Sequence, residues 1–501
     1  MMNYTKLNLF ISILLSFSYS LFTNEKPNFI VILADDMGYG DVGYHGYPEL
    51  ITPNIDALAE GGTHFSQGYS CASVCGPSRS GLLTGVYQQR MGVYGNMGDR
   101  GGVPTSQSIL PEMLKQKGYT CGVVGKWGIG LKDESMLPNN RGVDYFYGFL
   151  GGAHSYTKSS STAKFKKQSE APIYRNQKIV PPIQKENGYL TDLFNKEALG
   201  FIERNHKKPF FLYLAYNAVH SPWVAPQKYK DRLKHLNLSE DQLVFSAMKL
   251  ALDDGVGAIN NLLKEKGLKE NTMIIFLSDN GSPRGQGLTP DKDLTKDRGN
   301  TTMSSPGSFR GFKGDVYEGG TRIPFIINHP KTIPPGQVYH KPVISLDVAP
   351  TIMSFFKNNP PTGIPFDGVN LIPYLNQALP EKNQPHSTLY WRRGDDYAIL
   401  KDGWKLEWND AGSTKEIQLF NLKTDKDETK NLCYTHPEKA QYLQDQFDAW
   451  DSQLADNQTK KKFLNRNSQY SKGHRVNVAN FNLNQKKLAF SKSKKSKKTK
   501  N

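Results

Sequence analysis

The feature that most narrows the fold is a recurring unit. A short, continuous apolar run ends in an abrupt polar stop, and amphipathic stretches lie between such runs. The runs are NFIVILADD (28–36), TCGVVGKW (120–127), PFFLYLAYNAVH (209–220), TMIIFLSDNG (272–281) and RIPFIINHP (322–330). Each is short and rich in Ile, Val and Phe, so it reads as a strand buried on both faces. Segments such as SILPEMLKQKG (108–118) and FSAMKLALDDGVGAINNLLKEKG (245–267) carry helical spacing instead. Strands alternating with helices predict an α/β domain over residues 26–384, a large mostly parallel sheet sandwiched by helices. From about Leu389 the pattern changes to short polar–apolar segments, STLYWRRGDDYAILKDGWKLEW and IQLFNL, followed by one helix near HPEKAQYLQDQFDAWDSQL. These predict a small C-terminal antiparallel sheet plus helix over residues 385–456.

The two ends read differently. Lys6 precedes an apolar run from Leu7 to Phe17, and Ser18-Tyr19-Ser20 offers a small-x-small cleavage site. That layout predicts a signal peptide over residues 1–20 and a secreted or periplasmic protein. Residues 457–501 hold 12 Lys and 2 Arg with no acidic residue, which accounts for all but +2 of the net charge of +16. Such a segment buries too little apolar surface to fold alone. It reads either as a solvated, disordered tail or as a tether to a polyanion. Without interleaved aromatics, nucleic acid is not the expected partner. Four cysteines, Cys71, Cys75, Cys121 and Cys433, are too few for a disulfide scaffold in a chain of 501 residues.

In open α/β sheets, ligands gather outside the carboxyl ends of the strands. Two runs end there in oxygen donors, Asp35-Asp36 and Asp279-Asn280. Either pair alone is ordinary turn chemistry. Both on strands of one sheet make a hard-cation site suited to Ca²⁺ or Mg²⁺ rather than zinc. Lys126 and His220 stand at two further strand ends, and Lys313 sits in the glycine-rich loop GSFRGFKGDVYEGG. In SCASVCGPSRSGLLTG (70–85), Pro77 suits the first helical position. Cys75 then lies at a helix mouth that attracts anions, with Arg79 one turn on. A metal, three cations, a histidine and a thiol together suit transfer of a tetrahedral oxyanion group. The thiol is open to three readings: structural residue, nucleophile or precursor.

Cys75-Gly76-Pro77-Ser78-Arg79 with its SGLLTG continuation resembles the signature of the type I, formylglycine-dependent sulfatases. ADDMGYGDVG, GKWGIG, GVDYFYGF, FLSDNG, FRGFKGDVYEGGTRIPFI, LDVAPTI and LFNLKTDKDETKNL extend the likeness from about Asn28 to Leu432. The resemblance implies an alkaline phosphatase-like fold and hydrolysis of a sulfate ester, with Cys75 converted by a maturation enzyme to formylglycine. It implies one calcium ion held by Asp35, Asp36, Asp279, Asn280 and residue 75. Arg79 would hold the formylglycine and sulfate in place, Lys126 and Lys313 would bind sulfate oxygens, and His220 would protonate the leaving alcohol or steer it. The chain departs from the usual G-K-W-H-x-G at Gly128; His154 in FLGGAHSY is either the replacement base or a histidine of a substrate-lining or structural loop. Secretion and the basic tail lean toward a carbohydrate or polysaccharide sulfate as substrate. The rival readings are a phosphoester or phosphonate hydrolase on the same superfold, an inert secreted polyanion-binding relative, and a site blocked by a disulfide from Cys75 to Cys71 or Cys121.

Overall fold

The computed structural model describes residues 26–46, 52–97, 100–164, 166–186, 188–284, 303–357, 362–380, 382–408 and 416–456. The signal peptide and the basic tail lie outside them. At the centre of a ten-stranded sheet stands β1 (Asn28–Ala34), with all seven residues buried. It pairs in parallel with β4 (Phe210–Ala215) on one side and β5 (Thr272–Ser278) on the other. Beyond β4, the strands β2 (Thr120–Lys126) and β3 (Tyr145–Phe149) continue the parallel run. Side chains alternate along a strand, so β1 feeds two cores. Ile30, Ile32 and Ala34 pack with the helices α3 (Leu190–Asn205) and α4 (Glu240–Glu265). Phe29, Val31 and Leu33 pack on the opposite face with Leu82 and Leu83 of α2 (Cys75–Thr84), with α1 (Pro53–Glu60) lying on the first side. Burial on both faces is why these runs are continuously apolar rather than alternating, each large side chain contributing about 1.5–3 kcal/mol.

The sheet is parallel at its centre and mixed at its flanks. β6 (Phe325–Asn328), from the RIPFIINHP run, is antiparallel to β5 and to the short strand Thr63–Phe65. The hairpin Tyr174–Arg175 and Lys178–Ile179 is antiparallel to β3. The reason for β6 is local. The chain leaves β5 at the carboxyl edge, builds the loop carrying Lys313, and re-enters at that same edge, so it must run back down. Helix α4 starts at a reciprocal cap in which Ser239 Oγ accepts from Gln242 N (3.3 Å) and Gln242 Oε1 accepts from Ser239 N (3.0 Å).

The C-terminal sheet consists of β7 (Thr388–Arg393), β8 (Asp396–Lys401), β9 (Trp404–Trp408) and β10 (Gln418–Asn421), all antiparallel. Helix α5 (Pro437–Asp451) covers it with Ala440, Leu443, Phe447 and Trp450, one face at helical spacing. The same core takes in Tyr69, Tyr87, Val316 and Ile344 from the larger sheet's side. The small sheet is therefore packed directly against the segments flanking the predicted site.

Candidate active site

Parallel pairing of β1 and β5 puts Ala34 beside Ser278, so the residues that follow each strand emerge together. Asp279 N donates to Ala34 O (3.0 Å), and Asp36 N points at Asp279 Oδ1 (3.3 Å). Asp36 adopts φ +64°, a left-handed conformation that short acidic side chains tolerate. Asn280 Nδ2 donates to Asp36 Oδ1 (2.8 Å). Three cations converge on these carboxylates. Arg79 Nε and its Nη2 reach Asp279 Oδ2 at 2.9 and 2.8 Å, with Asp35 Oδ2 3.5 Å from Nη2. Lys126 Nζ lies 2.6 Å from Asp35 Oδ2, and Lys313 Nζ lies 2.6 Å from Asp36 Oδ1.

Electrostatics decide the protonation of these groups. Burial pushes the Asp35 carboxyl up, but Lys126, His220 and Arg79 outweigh it and hold it below the usual range. Burial also raises Asp36, and Lys313 and His220 prevail and lower it. Against the cost of burial, Asp279 keeps the Arg79 guanidinium protonated, and the carboxylates of Asp36, Asp35 and Asp279 do the same for the Lys313 ammonium. The side chains of Lys313 and His220 are 19% and 16% exposed, while Arg79, Asp35 and Asp36 show none. The site therefore opens on the Lys313–His220 side.

Cys75 is the first residue of α2, which places Pro77 third in the helix rather than first. The proline still wastes no donor, because the first four helical N–H groups have no intrahelical partner. Gly76 N donates to Asn96 Oδ1 (2.7 Å). Sγ of Cys75 and one ligand atom each of Asp35, Asp36 and His220 all lie within 4.8 Å of one another. Burial raises the Cys75 thiol, and Lys126 and Lys313 do not overcome it. A protonated, buried thiol is a poor nucleophile in its own right. All four cysteines are free thiols, so no disulfide blocks Cys75.

His220 sits on a loop zipped to the end of β1 by Asp35 N→Ala218 O (2.9 Å) and Val219 N→Asp35 O (2.8 Å). Its Nδ1–H donates to Ser221 O (2.6 Å), so Nε2 faces the site, 3.6 Å from Asp36 Oδ2. His154 is not among the converging groups. It is 1% exposed, and its Nδ1 and Nε2 lie 2.7 Å from Ser155 O and Ala171 O. With both ring nitrogens engaged by carbonyls, it has none left to act as the base replacing a histidine at 128. The residue sequence reasoning missed stands two places on. Tyr156 Oη lies 2.6 Å from Asn217 O and 2.7 Å from His220 O, which fixes the His220 loop. An isolated tyrosine in a polar loop carries no sequence signal for that role.

The oxygen set fits a hard divalent cation. Asp35 Oδ1 and Asn280 Oδ1 are buried and accept no hydrogen bond within the described residues. An acceptor buried without a donor costs free energy unless a cation completes it. With Asp36 and Asp279 beside them, the four residues offer oxygen ligands and three negative charges.

Residues 27–358 match the family model described as Sulfatase, and residues 310–454 match that described as N-sulphoglucosamine sulphohydrolase, C-terminal. The chain is 32% identical over 394 residues to the arylsulfatase of Hemicentrotus pulcherrimus, a match spanning 75% of this chain and 66% of that one. It is 34% identical over 414 residues to the N-acetylgalactosamine-6-sulfatase of Mus musculus, spanning 78% and 74%. Among solved structures, Ps i-CgsB in complex with k-i-k-neocarrahexaose matches with a TM-score of 0.74 and 32% identity, covering 86% of this chain and 94% of that one. The phosphonate monoester hydrolase of Agrobacterium radiobacter, at 17% identity and a TM-score of 0.59, shares the fold; that match covers 86% of this chain and 96% of the other.

Proposed function

Because the chain belongs to the sulfatase family of sulfuric ester hydrolases, we propose that it removes sulfate from a carbohydrate, with formylglycine made from Cys75 and one bound calcium ion. The observation that carries this reading is the meeting of Cys75, three carboxylates, an amide and three cations at one sheet edge. Together the two groups supply an activated oxygen nucleophile that the protonated thiol of Cys75 is not. Asp35, Asp36, Asp279 and Asn280 would hold the ion. Arg79, fixed by Asp279, orients residue 75 and a sulfate oxygen. Lys126 and Lys313 take the remaining oxygens as negative charge builds on the sulfuryl group, where one fixed donor is worth about 10²–10³-fold in rate. His220, with Nδ1–H tied to Ser221 O, would as the imidazolium present Nε2–H to the departing alcohol and give up that proton, ending as the neutral Nδ1–H ring.

A carbohydrate substrate is supported by two similar proteins. One is named for N-acetylgalactosamine-6-sulfate, and one was crystallised with a neocarrahexaose. Export through the N-terminal segment and polyanion contact by the basic tail complete the reading. A maturation enzyme acting on Cys75 is its further requirement. Peptide mass spectrometry across residue 75, on protein from its native host, is the test, paired with release of inorganic sulfate from sulfated saccharides. An aldehyde at 75 with sulfate release supports the reading. An unmodified thiol and no release would overturn it in favour of an inert polyanion binder.

A further inference from the structure

We propose that Lys405, on β9 of the C-terminal sheet, is a positioning residue for the reaction: through Glu318 and Glu428 it holds the loop that carries Lys313 over the site. The proposal rests on Lys313 being a sulfate-binding residue. The loop between residues 308 and 321 has no regular structure before the short helix Glu318–Thr321. Its own side of the molecule ties it by Lys313 N→Ser282 O (2.7 Å) and Gly314 N→Ser73 O (2.8 Å). The C-terminal sheet and the loop after it add further ties. Ser308 Oγ donates to Asp427 (2.7 Å), Arg310 to Glu428 O (3.0 Å), Tyr317 Oη to Gln418 (2.6 Å), and Arg393 to Gly314 O (2.6 Å).

One further tie is ionic and dry. Lys405 Nζ lies 3.0 Å from Glu318 Oε1 and 2.7 Å from Glu428 Oε1, with none of the three side chains exposed. Glu428 Oε2 accepts from Glu318 N (2.8 Å), so one carboxylate bridges the lysine and the loop backbone. Arg322 and Tyr69 take the other oxygen of Glu318, at 3.0 and 2.8 Å, and Glu407 faces Lys405 at 3.7 Å. Movement at Glu318 reaches Lys313 because the loop closes on itself. Gly319 N donates to Arg310 O (2.7 Å), and a Cβ on Gly319 would stand 2.2 Å from Gly311 O. The two limbs on either side of Lys313 therefore move as one body.

Apolar packing would hold the two sheets together without fixing direction, since hydrophobic contact is non-directional. A buried ion pair is weak as a source of stability. What Lys405 adds is a fixed position for Glu318, and with it a fixed reach for Lys313.

The test is Lys405→Met in the full-length holoenzyme, with two readouts. Amide exchange at Lys313, Gly314, Glu318 and Gly319 is expected to quicken about tenfold or more, while β1 and β5 keep wild-type rates. Sulfate-ester hydrolysis is expected to lose about tenfold in kcat/KM when Lys313 is present and nothing further in a Lys313→Ala background, as for two residues acting through one contact. Exchange that quickens evenly through β1 and β5, or the same fold loss in both backgrounds, would overturn the proposal. Should Lys405→Met fail to fold, Glu428→Gln keeps the oxygen for Glu318 N and removes the charge. The same four amides must then respond, and a wild-type pattern there overturns the tether. A wild-type chain without hydrolytic activity would defeat the functional reading alone, because the exchange readout needs no substrate.

Discussion

Gly128→Ala adds one methyl group behind Arg79 and Lys126, two of the three cations proposed to bind sulfate, and its consequences can be worked from the geometry. Gly128 has φ +68°, and its Cβ would lie 3.3 Å from Arg79 Cδ, 3.6 Å from Lys126 Cε and 3.7 Å from Lys126 Cγ. A left-handed alanine costs about 1–2 kcal/mol. Spread over a chain of this length, at about 2.1 cal/mol/K per residue, that lowers Tm by only about 1–2 °C. The chemistry is hit harder. Arg79 cannot yield freely, because Asp279 holds two of its nitrogens and Lys126 O a third at 3.2 Å. A displacement of a few tenths of an ångström passes to its guanidinium. With a 1 Å error costing about 10²-fold, kcat/KM should fall about tenfold, or about 1.4 kcal/mol of barrier. Calorimetry and steady-state hydrolysis on one preparation check both halves. A lower Tm with wild-type kcat/KM would show that Arg79 relaxes at no cost and would refute the reasoning. Gly128→His carries the same backbone penalty, so a histidine introduced here should not raise turnover above wild type.

Other outcomes follow from the same contacts. Arg79→Met strands the fully buried Asp279 carboxylate, while Asp35 keeps Lys126, and should cost about 3–5 kcal/mol in urea unfolding, with Arg79→Lys failing to restore the two-pronged contact. Calcium at a hundred times its Kd should stabilise the protein by about 2.7 kcal/mol over chelator-treated protein, and Asn280→Ala should shrink that gap; equal melting with and without calcium would refute the site. Burial, with Glu428 adding to it, holds the Glu407 carboxyl well above its ordinary 4.5. The folded state then keeps a proton that the unfolded chain releases above 4.5, so this stability is complete at lower pH and is lost as pH rises toward the folded value. Glu407→Gln should therefore flatten the decline between pH 5 and pH 8, measured by chemical denaturation.

Much of the site is legible in the chain because strand chemistry is local. An apolar run that stops at two oxygen-bearing residues announces the end of a buried strand, and two such runs in one parallel sheet must bring their stops to one edge. Asp35-Asp36 and Asp279-Asn280 are found that way, and Cys75 and Arg79 by their motif on a helix start. Three features depend on distances that sequence spacing does not encode. His154 looks like a base in FLGGAHSY, yet its nitrogens are taken by Ser155 O and by Ala171 O, seventeen positions away. β6 looks like one more parallel strand and runs antiparallel, because the Lys313 loop returns it to the edge it left. Lys405 lies in the polar–apolar segment KDGWKLEW, where nothing singles it out, and is fully buried between Glu318 and Glu428. The apolar pattern and the oxygen-bearing stops set the sheet and its reactive edge, since burial and strand period act between neighbours in the chain. Which nitrogen is free and which charge holds which loop was decided only when the two sheets packed, because buried polar groups take whichever partner the fold brings within about 3 Å.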